Sequence, residues 1–311
     1  MDDPIAVNPH RTLTEKLNQY PDMYRYLLLD PLKTVSSVNP LYLHKLKQSP
    51  GEHAIYPVLR RDLAYSPEHC PLLVLLASPG EESHYPWLDD TEGYARGEAL
   101  QDKRYLCGWL VSSQKPEQLA VSLAEQCNRL SHAFLPFFEP LRFELLKAMS
   151  PVDGLAGSIW PVNQWFYMTV AGEIDCQTGY KPDEKWRLNW GAEWTQQNVC
   201  AVGHILKAWG AVTAVMPSDA AMQAAMMWRK TVETGLSDTR DSYFLAAWCL
   251  GLGVDLLHHS TVNDLIQQVI ADPSIRLSRR LQALPEMIKQ EIKNKAITSQ
   301  AVNKGVHRHD V

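Results

Sequence analysis

Pro71-Leu72-Leu73-Val74-Leu75-Leu76-Ala77-Ser78-Pro79-Gly80 decides the fold of the first half of this 311-residue chain. Six apolar residues follow one another without polar alternation, between a proline and a Ser-Pro-Gly turn. Such a run suits a strand covered on both faces, because one solvated face would demand a polar residue at every second position. The run is far shorter than the ~20 residues that span a bilayer. No membrane partner is expected.

Working outward, the same reading gives strands at Tyr24–Leu29, Leu106–Val111, Phe134–Phe138 and Trp165–Val170. Ala54–Leu59 is strand-like, and Pro57 assigns it to an edge, since proline cannot donate to an inner ladder. Short helices fit between. Leu41–Lys47 is one. Pro116-Glu117 opens another, with Leu119, Leu123, Cys127 and Leu130 on one face. Pro140 starts a third, carrying Leu141, Leu145, Leu146 and Met149. Glu81–Asp90 reads as an acidic, aromatic loop.

After about residue 180 the strand signals stop. Asn198–Met216 is helical. Pro217-Ser218-Asp219 caps the next helix, which ends at Gly235, and Ser237-Asp238 precedes another through Leu250. Thr261 and Asp264 have capping-box spacing ahead of the stripe Val262, Leu265, Ile266, Val269 and Ile270. The expected architecture is an α/β lobe, a mixed sheet with flanking helices, followed by an all-helical lobe. The expected divisions are an extension over 1–20, the α/β lobe over 21–180, the helical lobe over 181–293 and a basic tail over 294–311.

Composition limits the function. Hydrophobic residues make up 45% and charged residues 21%, the profile of a folded globular chain. Met1-Asp2-Asp3-Pro4 has no apolar core of a secretory leader, so a cytoplasmic protein is expected. The cysteines at 70, 107, 127, 176, 200 and 249 form no C-x-x-C pair, which suits free thiols in a reducing compartment. From Pro273 to Val311, eight Lys/Arg face three acidic residues, leaving −10 on the rest of a chain of net charge −5. That tail lacks interleaved aromatics for stacking bases, so no nucleic-acid partner is expected.

The motifs of nucleophile elbows, zincins and phosphate loops do not occur. Gly251-Leu252-Gly253 lacks the third glycine and the preceding strand of a dinucleotide loop. Adjacent His258 and His259 point about 100° apart on a helix and do not share a metal. No catalytic residue, metal or cofactor is therefore assigned. Asp30, at a strand end, reads as a turn residue bonding its own backbone. Aromatic and sulfur-bearing residues stand out instead. Trp186, Trp190 and Trp194 are four apart, and Met222, Met226, Met227 and Trp228 share the following region. These types are enriched in adaptable binding surfaces, and we take both sets as the expected partner-binding face of the helical lobe.

Four stretches resemble the adaptor, or effector-chaperone, proteins of bacterial type VI secretion, over residues 22–180 and more loosely 195–270. They are Tyr26–Asp30; Pro71–Leu76; Phe134–Pro140 with Leu145-Leu146, Gly157–Pro161 and Trp165-Phe166-Tyr167; and Gly235-Leu236 with Tyr243–Ala246 and Gly251. Asp30, Phe138, Glu139 and Pro140 match structural positions of that family's motifs. Glu139 stands where the family has aspartate, and Pro136 where arginine is common. The resemblance implies a non-catalytic chaperone that binds a toxic effector in the cytoplasm and loads it onto the spike-tip protein of the secretion machine. The competing expectation is an α/β hydrolase-like enzyme using Asp30 with His53 or His69.

Overall fold

The computed structural model describes residues 12–48, 54–63, 65–83, 85–130, 136–150, 154–181, 190–292 and 294, with the side chains of 128–130 and 190 outside the description. The chain divides into two compact units, residues 1–197 and 198–311.

The first unit holds a six-stranded sheet: β1 (Tyr24–Leu29), β2 (Ile55–Pro57), β3 (Leu72–Ala77), β4 (Leu106–Ser112), β5 (Val162–Met168) and β6 (Ile174–Thr178), in the order β2-β3-β1-β4-β5-β6. Where a mixed sheet was expected, every pairing is antiparallel. Leu27 faces Val74 on one side and Trp109 on the other, and Leu110 faces Trp165.

The helices of this unit are α1 (Leu13–Asn18), α2 (Leu43–Leu46), α3 (Asp90–Glu98), α4 (Pro116–Leu130), α5 (Pro140–Met149), α6 (Gly154–Ile159) and α7 (Trp190–Gln197). One face of the sheet, with Tyr26, Leu28, Leu73, Leu110 and Trp165, packs on residues of α4, α5 and α6. The other, with Leu27, Leu29, Val74, Trp109 and Phe166, packs on Leu13, Leu17, Leu88 and Ala95. Two covered faces explain why β3 carries no polar alternation.

Several expectations change. Thr12 and Glu15 form a reciprocal capping box, and α1 buries Leu13 and Leu17 completely, so part of the expected N-terminal extension is core. Phe134 and Leu135 lie outside the described residues. Pro136–Glu139 forms a turn rather than a strand, from which Phe137 and Phe138 enter the core. Gly157–Pro161 is the end of α6 and a cis Trp160–Pro161 peptide leading into β5. Helix α7, expected in the helical lobe, belongs to the first unit. Arg142 of α5 donates to the Gln196 carbonyl at 2.9 Å, and the Gln196 amide donates back to the Arg142 carbonyl at 3.1 Å.

The second unit consists of α8 (Val199–Gly210), α9 (Ala220–Glu233), α10 (Thr239–Leu252), α11 (Ser260–Ala271) and α12 (Leu277–Gln282), with residues 286–292 also helical. Gly235 and Gly253 adopt φ of +84° and +66°, the left-handed conformation that ends α9 and α10. Asp238 caps α10 by accepting from the Arg240 N–H. The Thr261–Asp264 box does not form, because α11 already begins at Ser260. The core joins Leu245 and Cys249 to Val262, Ile266, Val269, Leu277 and Leu281. All six cysteines are free thiols. Among the described residues no helix is long and apolar enough to cross a membrane.

Candidate functional site

The first unit draws the four motif residues together at one end of its sheet. Asp30 follows β1 and is 1% exposed. Its N–H donates to the Tyr105 carbonyl at 2.7 Å, and its Oδ1 accepts from the Leu32 N–H at 3.0 Å. That is the turn bond expected of it. Burial pushes its carboxyl above the usual range, opposed by Lys103 and Arg60 and reinforced by Glu139. Glu139 caps α5, accepting from the Arg142 N–H at 3.0 Å, and Pro140 occupies the first helical turn. Phe138 is buried, with the Arg60 guanidinium 5.9 Å from its ring centre.

Arg104 ties these parts together. It is buried, donates to the Met168 carbonyl at 2.8 Å and lies 3.7 Å from Glu139. Glu144, one turn further along α5, accepts the Val170 N–H at 2.9 Å. Burial pushes its carboxyl to about 7, against the pull of that hydrogen bond and of Arg104. Burial also pushes the Cys107 thiol, wholly buried near Asp30, Glu139 and Glu98, well above its usual range, so it stays protonated at neutral pH. Asp30 and Glu139 grip N–H groups of their own turn and helix, while Glu144 and Arg104 fasten the end of β5 to α5. Sequence reading found Asp30 and Glu139 but not Arg104, whose polar neighbours Asp102 and Lys103 resemble any exposed turn.

Of the histidines paired with Asp30 in the enzyme expectation, His53 lies outside the described residues. His69 is exposed and contacts Ser66 at 2.7 Å and Glu68 at 3.7 Å. Among the described residues no group of three or more His, Cys, Asp or Glu is placed to hold a metal.

The expected partner-binding residues are divided. Trp186 lies outside the described residues. Trp190 opens α7, its side chain undescribed, and Trp194 is half-buried on the same helix, so both belong to the first unit. The methionine set belongs to the second. There α9 turns Ala220, Ala224, Trp228 and Thr231 inward. Trp228 is 5% exposed, stacks on Tyr243 at 4.9 Å and donates to the Asn198 side chain at 2.9 Å. It is a core residue. Met222 and Met227 are half-buried, and Met226 is the exposed member.

A different surface of the second unit is concave. Phe244, Trp248 and Leu252 rise along α10 at four-residue intervals beside Leu281 and Ile292. Together they line a groove of about 210 Å³, rimmed by Gln282 and Lys289. Phe244 and Trp248 stack at 6.1 Å. The signal for it was present: α10 has an inward row, Leu245 and Cys249, and a second apolar row one residue before it.

No family model, curated protein or solved structure matches the chain.

Proposed function

We propose that the protein is a non-catalytic adaptor that holds an apolar segment of a partner in the groove of its helical unit. One observation carries the reading: the aromatic row Phe244–Trp248, continued by Leu252, packs on the core with one side and lines an open groove with the other. An amphipathic segment recognised by an i, i+4 row of anchors suits such a groove. The row also falls in the stretch that resembles the last helices of type VI secretion effector chaperones, which supports a toxic effector as cargo and the spike-tip protein as the second partner, both met in the cytoplasm. The charged cluster of the first unit would then be a fastening that keeps the scaffold rigid, not a reaction centre.

Co-purification followed by mass spectrometry tests this. An effector and a spike-tip protein should be recovered together with the wild-type chain, and Trp248→Ala should lose the effector while retaining a cooperative melt. Hydrolytic turnover by the purified protein that disappears in a folded Asp30→Ala variant would replace this reading with the enzymatic one.

A further inference from the structure

The first unit carries a groove of its own, between strand β2 and helix α4, of about 430 Å³. Its lining is graded. Ala120 and Ala124 are buried on the groove side of α4, and their single methyl groups leave room for a partner backbone to approach closely. Glu117, Val121 and Glu125, four residues apart, form an exposed row along the α4 rim, with Val121 60% exposed. The opposite wall is apolar, made by Tyr56, Pro57 and a 52% exposed Leu59.

We infer that this groove binds a basic amphipathic helix of a partner protein. β2 is the edge of the sheet, and an open edge invites an added strand. Here the edge is blunted. The Val58 N–H donates inward to the Pro71 carbonyl at 2.8 Å, and Tyr56 pairs with Leu73, so the outward positions of this short strand are Ile55 and Pro57, and Pro57 has no N–H to offer an added strand. A helix satisfies its own backbone and needs no such donors. Charge selects its type: two carboxylates mark one rim, in a unit with 18 Lys/Arg against 25 Asp/Glu. A partner helix would set its apolar stripe over the alanines and against Leu59, with Lys or Arg reaching Glu117 and Glu125. The inference rests on the first unit and not on the groove of the helical unit.

The test uses the full-length protein and fluorescein-labelled peptides of about 14 residues, near the length at which isolated helices become stable. One peptide is an amphipathic Leu/Lys helix, the second its Leu/Glu counterpart, and the third the Leu/Lys sequence with a central proline. Anisotropy should show binding of the Leu/Lys helix only. Glu117→Lys/Glu125→Lys should weaken it at least tenfold, and Val121→Gln several-fold. The matched reversal Glu233→Lys/Asp264→Lys in the second unit should leave it within twofold. All these side chains except Val121 are exposed carboxylates, so the variants are expected to fold, as thermal melts check. Equal loss in both charge reversals, equal binding of the proline-broken peptide, or no binding of the Leu/Lys helix would overturn the inference. So would self-association abolished by Val121→Gln, which would make a second copy the occupant, or tightened binding on removal of residues 296–311, which would make the chain's own tail the occupant.

Discussion

Glu144 shows how one buried carboxyl shapes the chemistry of its surroundings. It is 8% exposed, and burial raises its carboxyl from an ordinary 4.5 to about 7. A carboxyl with a folded-state pKa above its unfolded value keeps its proton longer in the folded chain. Between about pH 4.5 and 7 the folded state therefore binds more protons, and the stability Glu144 contributes falls as pH rises through that window. The slope approaches at most about 1.4 kcal/mol per pH unit. Glu144→Gln keeps an oxygen for the Val170 N–H and removes the titration. Urea unfolding from pH 5 to 8 should show a flatter fall in the variant than in the wild type. Identical profiles would contradict the assignment. Asp30 was legible as a turn residue because Asp before Pro has few alternatives. The pairing of Glu139 with Arg104 was not, because it depends on strand order and no local pattern encodes that.

At the level of elements, α9 and α10 separate what sequence composition merged. A methionine- and tryptophan-rich helix reads as one surface, yet the 100° step sends Trp228 inward beside Ala224 and leaves Met226 outside. Trp228→Ala should cost about 3–5 kcal/mol, the usual range for a large buried aromatic. Met226→Ala should stay within about 0.5 kcal/mol, as surface changes usually do. Paired chemical melts decide it, and a neutral Trp228→Ala would show that this face is not core. Strands with long apolar runs and helices with proline starts were legible. Besides α1, the elements β6, α3 and α6 were not. β6 (Ile174–Thr178) has one strongly apolar residue and no buried position, so nothing in it alternates. α3 carries Gly93 and Gly97, and α6 carries Gly154 and Gly157, residues whose backbone entropy argues against helix. Tertiary cover holds these elements: the Trp109 indole, for instance, donates to Thr91 of α3 at 3.0 Å.

For the molecule as a whole, the change from strands to helices near residue 180 was visible, but the division falls later, after Gln197. The reason is α7, a helix that packs on α5. A fragment ending at residue 197 should melt cooperatively. One ending at residue 180 loses α7 and with it the hydrogen bonds between Arg142 and Gln196, each worth about 0.5–1.5 kcal/mol. It should melt several degrees lower. Equal melting temperatures would return α7 to the second unit.

The central claim, that the helical unit grips a partner through its aromatic groove, is tested most directly by hydrogen exchange of the full-length protein, free and bound to its co-purified effector. The account predicts that binding slows exchange in α10, in the short α12 and in residues 286–292, the three segments that line the groove. Unchanged exchange in all three, with the complex intact, would contradict it.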